Sequence, residues 1–179
     1  MNIANNKRKK DSQTKIQRAF VELIQFKAIN EITISDICQK ANLNRSTFYS
    51  NYLDIYDLAD KIRDELFHDV LALYPEETKE KKHSYDFLRL FRHIKENQLF
   101  YKTYFKLNYD NDTDFFKEMI DDSEFERFYK NKDHLKYHIT FFRHGLNAII
   151  ESWLYNGCQE SPEEIEEIIK EEYQVKKYI

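Results

Sequence analysis

Residues 42–49 read NLNRSTFY, which puts two small amides, two hydroxyls, one arginine and two aromatics into eight positions. The chemistry open to such a set is recognition. Hydroxyls and amides both donate and accept hydrogen bonds, and an arginine offers a planar fork that fits guanine O6 and N7 or a phosphate. A surface that reads the edges of base pairs would explain the composition, and so would a solvated loop. The flanking elements have to decide between them.

Groups that could do other chemistry are scattered. The chain has no Gly-rich phosphate loop, no GxSxG and no HExxH, so no enzyme activity is expected. Cys38 and Cys158 stand alone, without CxxC or CxxH spacing, which argues against a disulfide framework or a zinc knuckle. His134 and His138 are four apart with His144 nearby, but no carboxylate or cysteine completes a metal set. No metal and no cofactor are expected.

The elements around the polar octet are helical. Two Gly and two Pro in 179 residues leave few breakers, and an all-α chain follows. Ile16, Ala19, Phe20, Leu23 and Ile24 share one helical face, predicting a first helix over about Ser12 to Ile29. Thr33-Ile34-Ser35-Asp36 has a capping hydroxyl followed three residues later by an acid, so a second helix starts there. Asn42 tolerates positive φ and can end it with a sharp turn, while Leu43 tucks underneath. Asn44 then caps a third helix, in which Phe48 and Tyr52, four apart, face inward.

Asp54, with Asp57 three residues on, caps a fourth helix that keeps its apolar spacing to Tyr74-Pro75. A charged connector, residues 76–83, leads into a strongly aromatic region that includes Tyr85, Phe115, Phe116, Phe125, Phe128 and Tyr129. A long helix is expected over 133–156, ended by Gly157, and Ser161-Pro162-Glu163-Glu164 opens a last helix over about 162–177.

Charge is divided unevenly. Residues 1–50 carry nine Lys/Arg against four acids, a net +5, and the remainder carries 19 against 28, a net −9. A basic head on an acidic body fits a nucleic-acid-binding module joined to a part that does not touch DNA. Lys7, Arg8, Lys9 and Lys10 could be a flexible arm along the groove or a solvated tail. No segment has the length and apolarity of a membrane span, and the N-terminus lacks an apolar stretch after its basic residues, so a cytoplasmic protein with no membrane partner is expected.

Two short helices joined by a tight turn, the second of them polar and capped, make a helix-turn-helix. Ile37, Cys38, Ala41, Leu43 and Phe48 can lock the pair together, leaving Ser46, Thr47, Tyr49 and Ser50 on the projecting face. The stretch from Thr33 to Tyr52 resembles the N-terminal signature of the TetR family of bacterial regulators over about residues 12–60. Residues 141–169 are similar to the bodies of one subgroup. Departures from the common pattern are Asn42 for glycine, Cys38 for alanine, Asn51 for histidine and Ile55 for lysine.

The resemblance implies a head over residues 1–54 and a helical regulatory and dimerising body over 55–179. The implied DNA contacts are Thr33, Asn44, Arg45, Ser46, Thr47, Tyr49 and Asn51. Thr33 is a helix cap that can also face a phosphate. Tyr49 is either a half-buried aromatic or a phosphate contact, and Arg45 reaches a base, a phosphate or an intramolecular partner.

In the body, Phe91, Phe100, Tyr104, Phe105 and Phe141 are candidates for holding a small apolar or aromatic effector, with plain core packing as the alternative. Phe142, Ile149, Trp153, Ile165 and Ile169 are candidates for a homodimer interface, where the last two helices of two chains would form four helices. The implied partners are a double-stranded DNA operator of two-fold symmetry and a second copy of the chain. Repression relieved by an effector is the family's usual output. The alternative is an activator or co-activator controlled by a partner protein through an exposed aromatic patch.

Overall fold

A computed structural model describes residues 3–74, 87–107 and 133–173. Among them are eight α-helices and no strand: α1 (Ile3–Leu23), α2 (Ile34–Ala41), α3 (Arg45–Tyr49), α4 (Ile55–Ala72), α5 (Leu88–Glu96), α6 (Gln98–Leu107), α7 (Leu135–Tyr155) and α8 (Pro162–Tyr173). A 3-10 turn at Ile29–Glu31 joins α1 to α2. The connector at 76–83, and Tyr85, Phe115, Phe116, Phe125, Phe128 and Tyr129, lie outside the described residues.

The chain divides into two compact units, and two of the three dividing points fall inside helices, α4 and α6. The first comprises Met1–Leu66 with Lys102–Leu107, the second Phe67–Tyr101 with Asn108–Ile179.

In the first unit α1 packs on α2 and α2 on α3. Its core takes Ile16, Ala19, Phe20, Val21 and Ile24 from α1, Ile37, Cys38 and Ala41 from α2, then Phe48 and Tyr52, and Leu58, Ala59 and Ile62 from α4. The first helix differs from the expected Ser12 to Ile29 at both ends. It ends at Leu23, where the backbone N–H groups of Phe26 and Lys27 both turn back to the Leu23 carbonyl, and Ile29 is buried from the 3-10 turn instead. At its start the helix runs on through residues 3–11, which carry the basic cluster, so Lys7, Arg8, Lys9 and Lys10 are helical.

The 102–107 segment is tied to the end of α1. Lys106 Nζ donates to the carbonyls of Gln25 at 2.6 Å and Ile24 at 3.3 Å, and Gln25 Nε2 donates to the buried Thr103 hydroxyl at 3.0 Å. A cation is thereby placed against the carbonyl end of α1, where the helix dipole favours it.

In the second unit α8 packs on α5. Phe91 stands edge-on to Trp153, with ring centroids 6.1 Å apart, and Arg92 pairs with Glu163 at 2.7 Å. The α7–α8 corner is built locally. Gly157 takes φ +74, as its lack of a Cβ allows, and Cys158 also has positive φ. The Cys158 N–H reaches back to the Trp153 carbonyl at 2.8 Å, closing the helix end. Ser161 then caps α8 reciprocally with Glu164, and Pro162 sits at its first position.

Candidate nucleic-acid interface

The turn between α2 and α3 follows from three local choices. Thr33 Oγ1 accepts from the Asp36 N–H at 3.1 Å while Asp36 Oδ2 accepts from the Thr33 N–H at 3.1 Å, a reciprocal cap that starts α2. Those bonds from Thr33, with Lys27 3.3 Å away, hold the Asp36 carboxyl below its ordinary value. Asn42 adopts φ 54 and ψ 49, and the Leu43 N–H bonds back to the Cys38 carbonyl at 2.9 Å. An asparagine therefore does what glycine does in such turns. Burial raises the Cys38 thiol above its usual range, with the Arg45 charge opposing; this thiol is packing under the turn.

Asn44 caps α3 through its side-chain oxygen, which receives the Thr47 N–H at 2.8 Å and the Ser46 and Thr47 hydroxyls at 2.7 Å each. Phe48 is fully buried and lies 5.7 Å from Tyr52, whose hydroxyl burial pushes up to about 12. Tyr49, edge-on to Phe48, is 57% exposed. Ser46 and Ser50 are exposed and Thr47 half-buried. Thus Ser46, Thr47 and Tyr49 of the expected contact set share the projecting side of α3.

The other expected contacts are placed differently. Asn51 turns inward: its Nδ2 donates to the Thr47 carbonyl at 2.7 Å and approaches Ser12 of α1 at 3.4 Å, so it braces the end of α3. Asn44 spends its oxygen on the cap. Arg45 donates from Nη2 to the Ser35 hydroxyl on α2, an intramolecular partner that was open in the sequence but not identifiable from it. The Arg45–Ser35 pair spans the turn, and only the chain's return at Asn42 brings them together.

The candidate body residues differ in their exposure. Phe91 is fully buried core. Phe100, Tyr104 and Phe105 lie on α6, Tyr104 buried and the other two half-buried, while Phe141 is on α7. Phe141 is 73% exposed; it is the sequence neighbour of buried Phe142, and one residue rotates the helix surface by about 100°. Of the expected interface set, Phe142, Trp153, Ile165 and Ile169 are buried in the single chain and Ile149 is half-buried. The outward side of α7 instead carries Tyr137, Phe141 and Tyr155, with Ile168 exposed on α8.

A capped, αL-turned pair of short helices with a hydroxyl-rich second helix defines a helix-turn-helix regulator. Residues 82–172, just over half of the chain, match the TetR family model described as the transcriptional regulator C-terminal region. The chain therefore belongs to the TetR family of transcriptional regulators, which is a regulator family and not an enzyme family.

Among curated proteins it is similar to the HTH-type dhaKLM operon transcriptional activator DhaS of Lactococcus lactis subsp. lactis (strain IL1403), with 32% identity over 101 residues. That match covers 54% of this chain and spans about half, 50%, of the relative. The solved structure of a dihydroxyacetone kinase operon activator DhaS has the same fold, at a TM-score of 0.50 and 22% identity, covering 89% of this chain and 92% of that one. Among the described residues no helix is long and apolar enough to cross a membrane.

Proposed function

We propose that this TetR-family regulator binds a two-fold symmetric DNA operator as a homodimer, through α3, and acts as an activator or co-activator controlled by a partner protein. One α3 is too short to contact more than a few base pairs, so a second head in an adjacent major groove supplies the remaining specificity. The observation that carries the reading of control is where the aromatic side chains lie. In the described body Phe91, Tyr101 and Trp153 are core, while Tyr137, Phe141 and Tyr155 are 63%, 73% and 90% exposed on α7. Buried aromatics leave packing as their role, and large exposed apolar side chains on one helix favour macromolecular contacts over an enclosed small ligand. The relative's description as an activator supports the same sign of output.

The test uses a duplex selected by the protein from a random library, placed upstream of a weak core promoter in a purified transcription system. Activation predicts that transcript rises on adding the protein with its host-cell extract, and that small aromatic compounds leave DNA affinity unchanged. Transcript that falls with the protein alone and recovers with such a compound would restore the effector-relieved repressor.

A further inference from the structure

The hydroxyl protons of α3 are already committed inside the protein. The Thr47 backbone N–H can only donate, so the Asn44 atom it meets at 2.8 Å is the carboxamide oxygen. Ser46 Oγ and Thr47 Oγ1 each lie 2.7 Å from that same oxygen, and it offers them no proton, so both hydroxyls donate to it. Ser50 Oγ lies 2.8 Å from the Thr47 carbonyl, which likewise only accepts. A hydroxyl has one proton, and once it is spent the oxygen keeps only lone pairs for anything outside.

We propose that α3 and its C-cap residue present Ser46, Thr47 and Ser50 as acceptors only, and that this surface therefore reads the exocyclic amino groups of adenine and cytosine in the major groove. The proposal rests on α3 being the DNA-reading element. Phosphate oxygens, guanine O6 and N7 and thymine O4 are all acceptors, and two acceptors facing each other with no proton between them repel. Adenine N6–H and cytosine N4–H are the major-groove donors that complement such a surface. Donation outward is left to Arg45, which keeps further N–H groups beyond the one used on Ser35, and to the hydroxyl of Tyr49, a residue 57% exposed. Asn44 is the positioning residue, since its oxygen orients two of the three hydroxyls.

The experiment starts from duplexes that the full-length protein enriches from a random library. In the enriched half-site each adenine is replaced in turn by purine and each cytosine by pyrimidin-2-one, which delete only the amino group. At one to three positions the deletion weakens binding on the order of ten-fold, and it has no effect in the matching variant, Ser46→Ala, Thr47→Val or Ser50→Ala. Ser46→Thr restores the sensitivity at the Ser46 position. Asn44→Ala, which frees two hydroxyls to donate to phosphate, lowers discrimination between selected and unrelated duplexes while retaining affinity for the unrelated one.

Amino deletions that are silent at every position overturn the proposal, as do hydroxyl variants that weaken selected and unrelated duplexes equally. If the protein enriches no sequence at all, the reading of α3 as a DNA-binding helix falls first and takes the proposal with it. Circular dichroism melting checks that each variant folds; Ser46 and Ser50 are exposed and accept alanine without repacking.

Discussion

Replacing Lys7, Arg8, Lys9 and Lys10 together with glutamine should weaken DNA binding and flatten its dependence on salt. These four side chains are exposed, on the part of α1 that extends N-terminally from Ser12. Ser12 is where α1 meets the end of α3, through Asn51. Residues 3–11 are nine helical positions, so the extension is about 13 Å long at 1.5 Å per residue. Each phosphate neutralised contributes about 0.9 to the slope of log affinity against log salt, so four contacts per head contribute up to about 3.6. The assay is fluorescence anisotropy of a labelled selected duplex titrated at several potassium chloride concentrations.

A second pair of variants separates a rigid arm from a flexible one. Asp11→Pro keeps all four cations and removes an acid, but breaks the helix between the arm and Ser12. Electrostatics alone predicts tighter binding, whereas a helical arm predicts a slope close to that of the four-glutamine protein. Asp11→Ala removes the same acid and keeps the helix, and should retain the steep slope. If the four-glutamine protein keeps the wild-type slope, the cluster is a solvated helix end and the reasoning is refuted. If Asp11→Pro binds as steeply as Asp11→Ala, the arm acts but its helical form does not matter.

Thr33→Ala removes the α2 cap and should lower unfolding stability by about 1 kcal/mol in urea titration; Thr33→Ser should restore most of it. Phe141→Glu should abolish the rise in transcript that depends on host-cell extract while leaving affinity for the selected duplex unchanged, because the side chain is 73% exposed on the α7 face read as the partner-protein surface; full activation with glutamate there would rule out that face as the surface for the partner. Acidification should destabilise the fold in two stages. His93 is held below its ordinary 6.5, chiefly by desolvation beside Tyr101, so its neutral form stabilises above 6.5 and that contribution is lost as pH falls from there. Asp36 and Asp57 are held below 3.8 and Glu163 and Glu164 below 4.5 by their hydrogen-bonded partners, so they stabilise above those values and lose it as pH falls further. His93→Gln should remove the first stage of the melting-temperature profile and leave the second.

Short-range chemistry made much of this protein readable before any coordinates. Thr33 with Asp36, Asn42 at positive φ, Asn44 with Thr47, Asp54 with Asp57 and Ser161 with Glu164 are all interactions within a few residues, so their residue types suffice to place helix ends. The same locality made the helix-turn-helix legible as a unit. What the sequence left open depends on which chain segments meet. Periodicity shows that Phe142 and Trp153 share an apolar side of α7, but not whether a partner copy or the chain itself covers it; they are buried in the single chain, and Phe141 and Tyr155 are exposed. Arg45 finds Ser35 only because the turn brings α2 back, and Lys106 finds the end of α1 across 81 residues of chain. Local hydrogen bonds are fixed by neighbours in sequence, whereas burial and long-range pairing are fixed by how the helices pack.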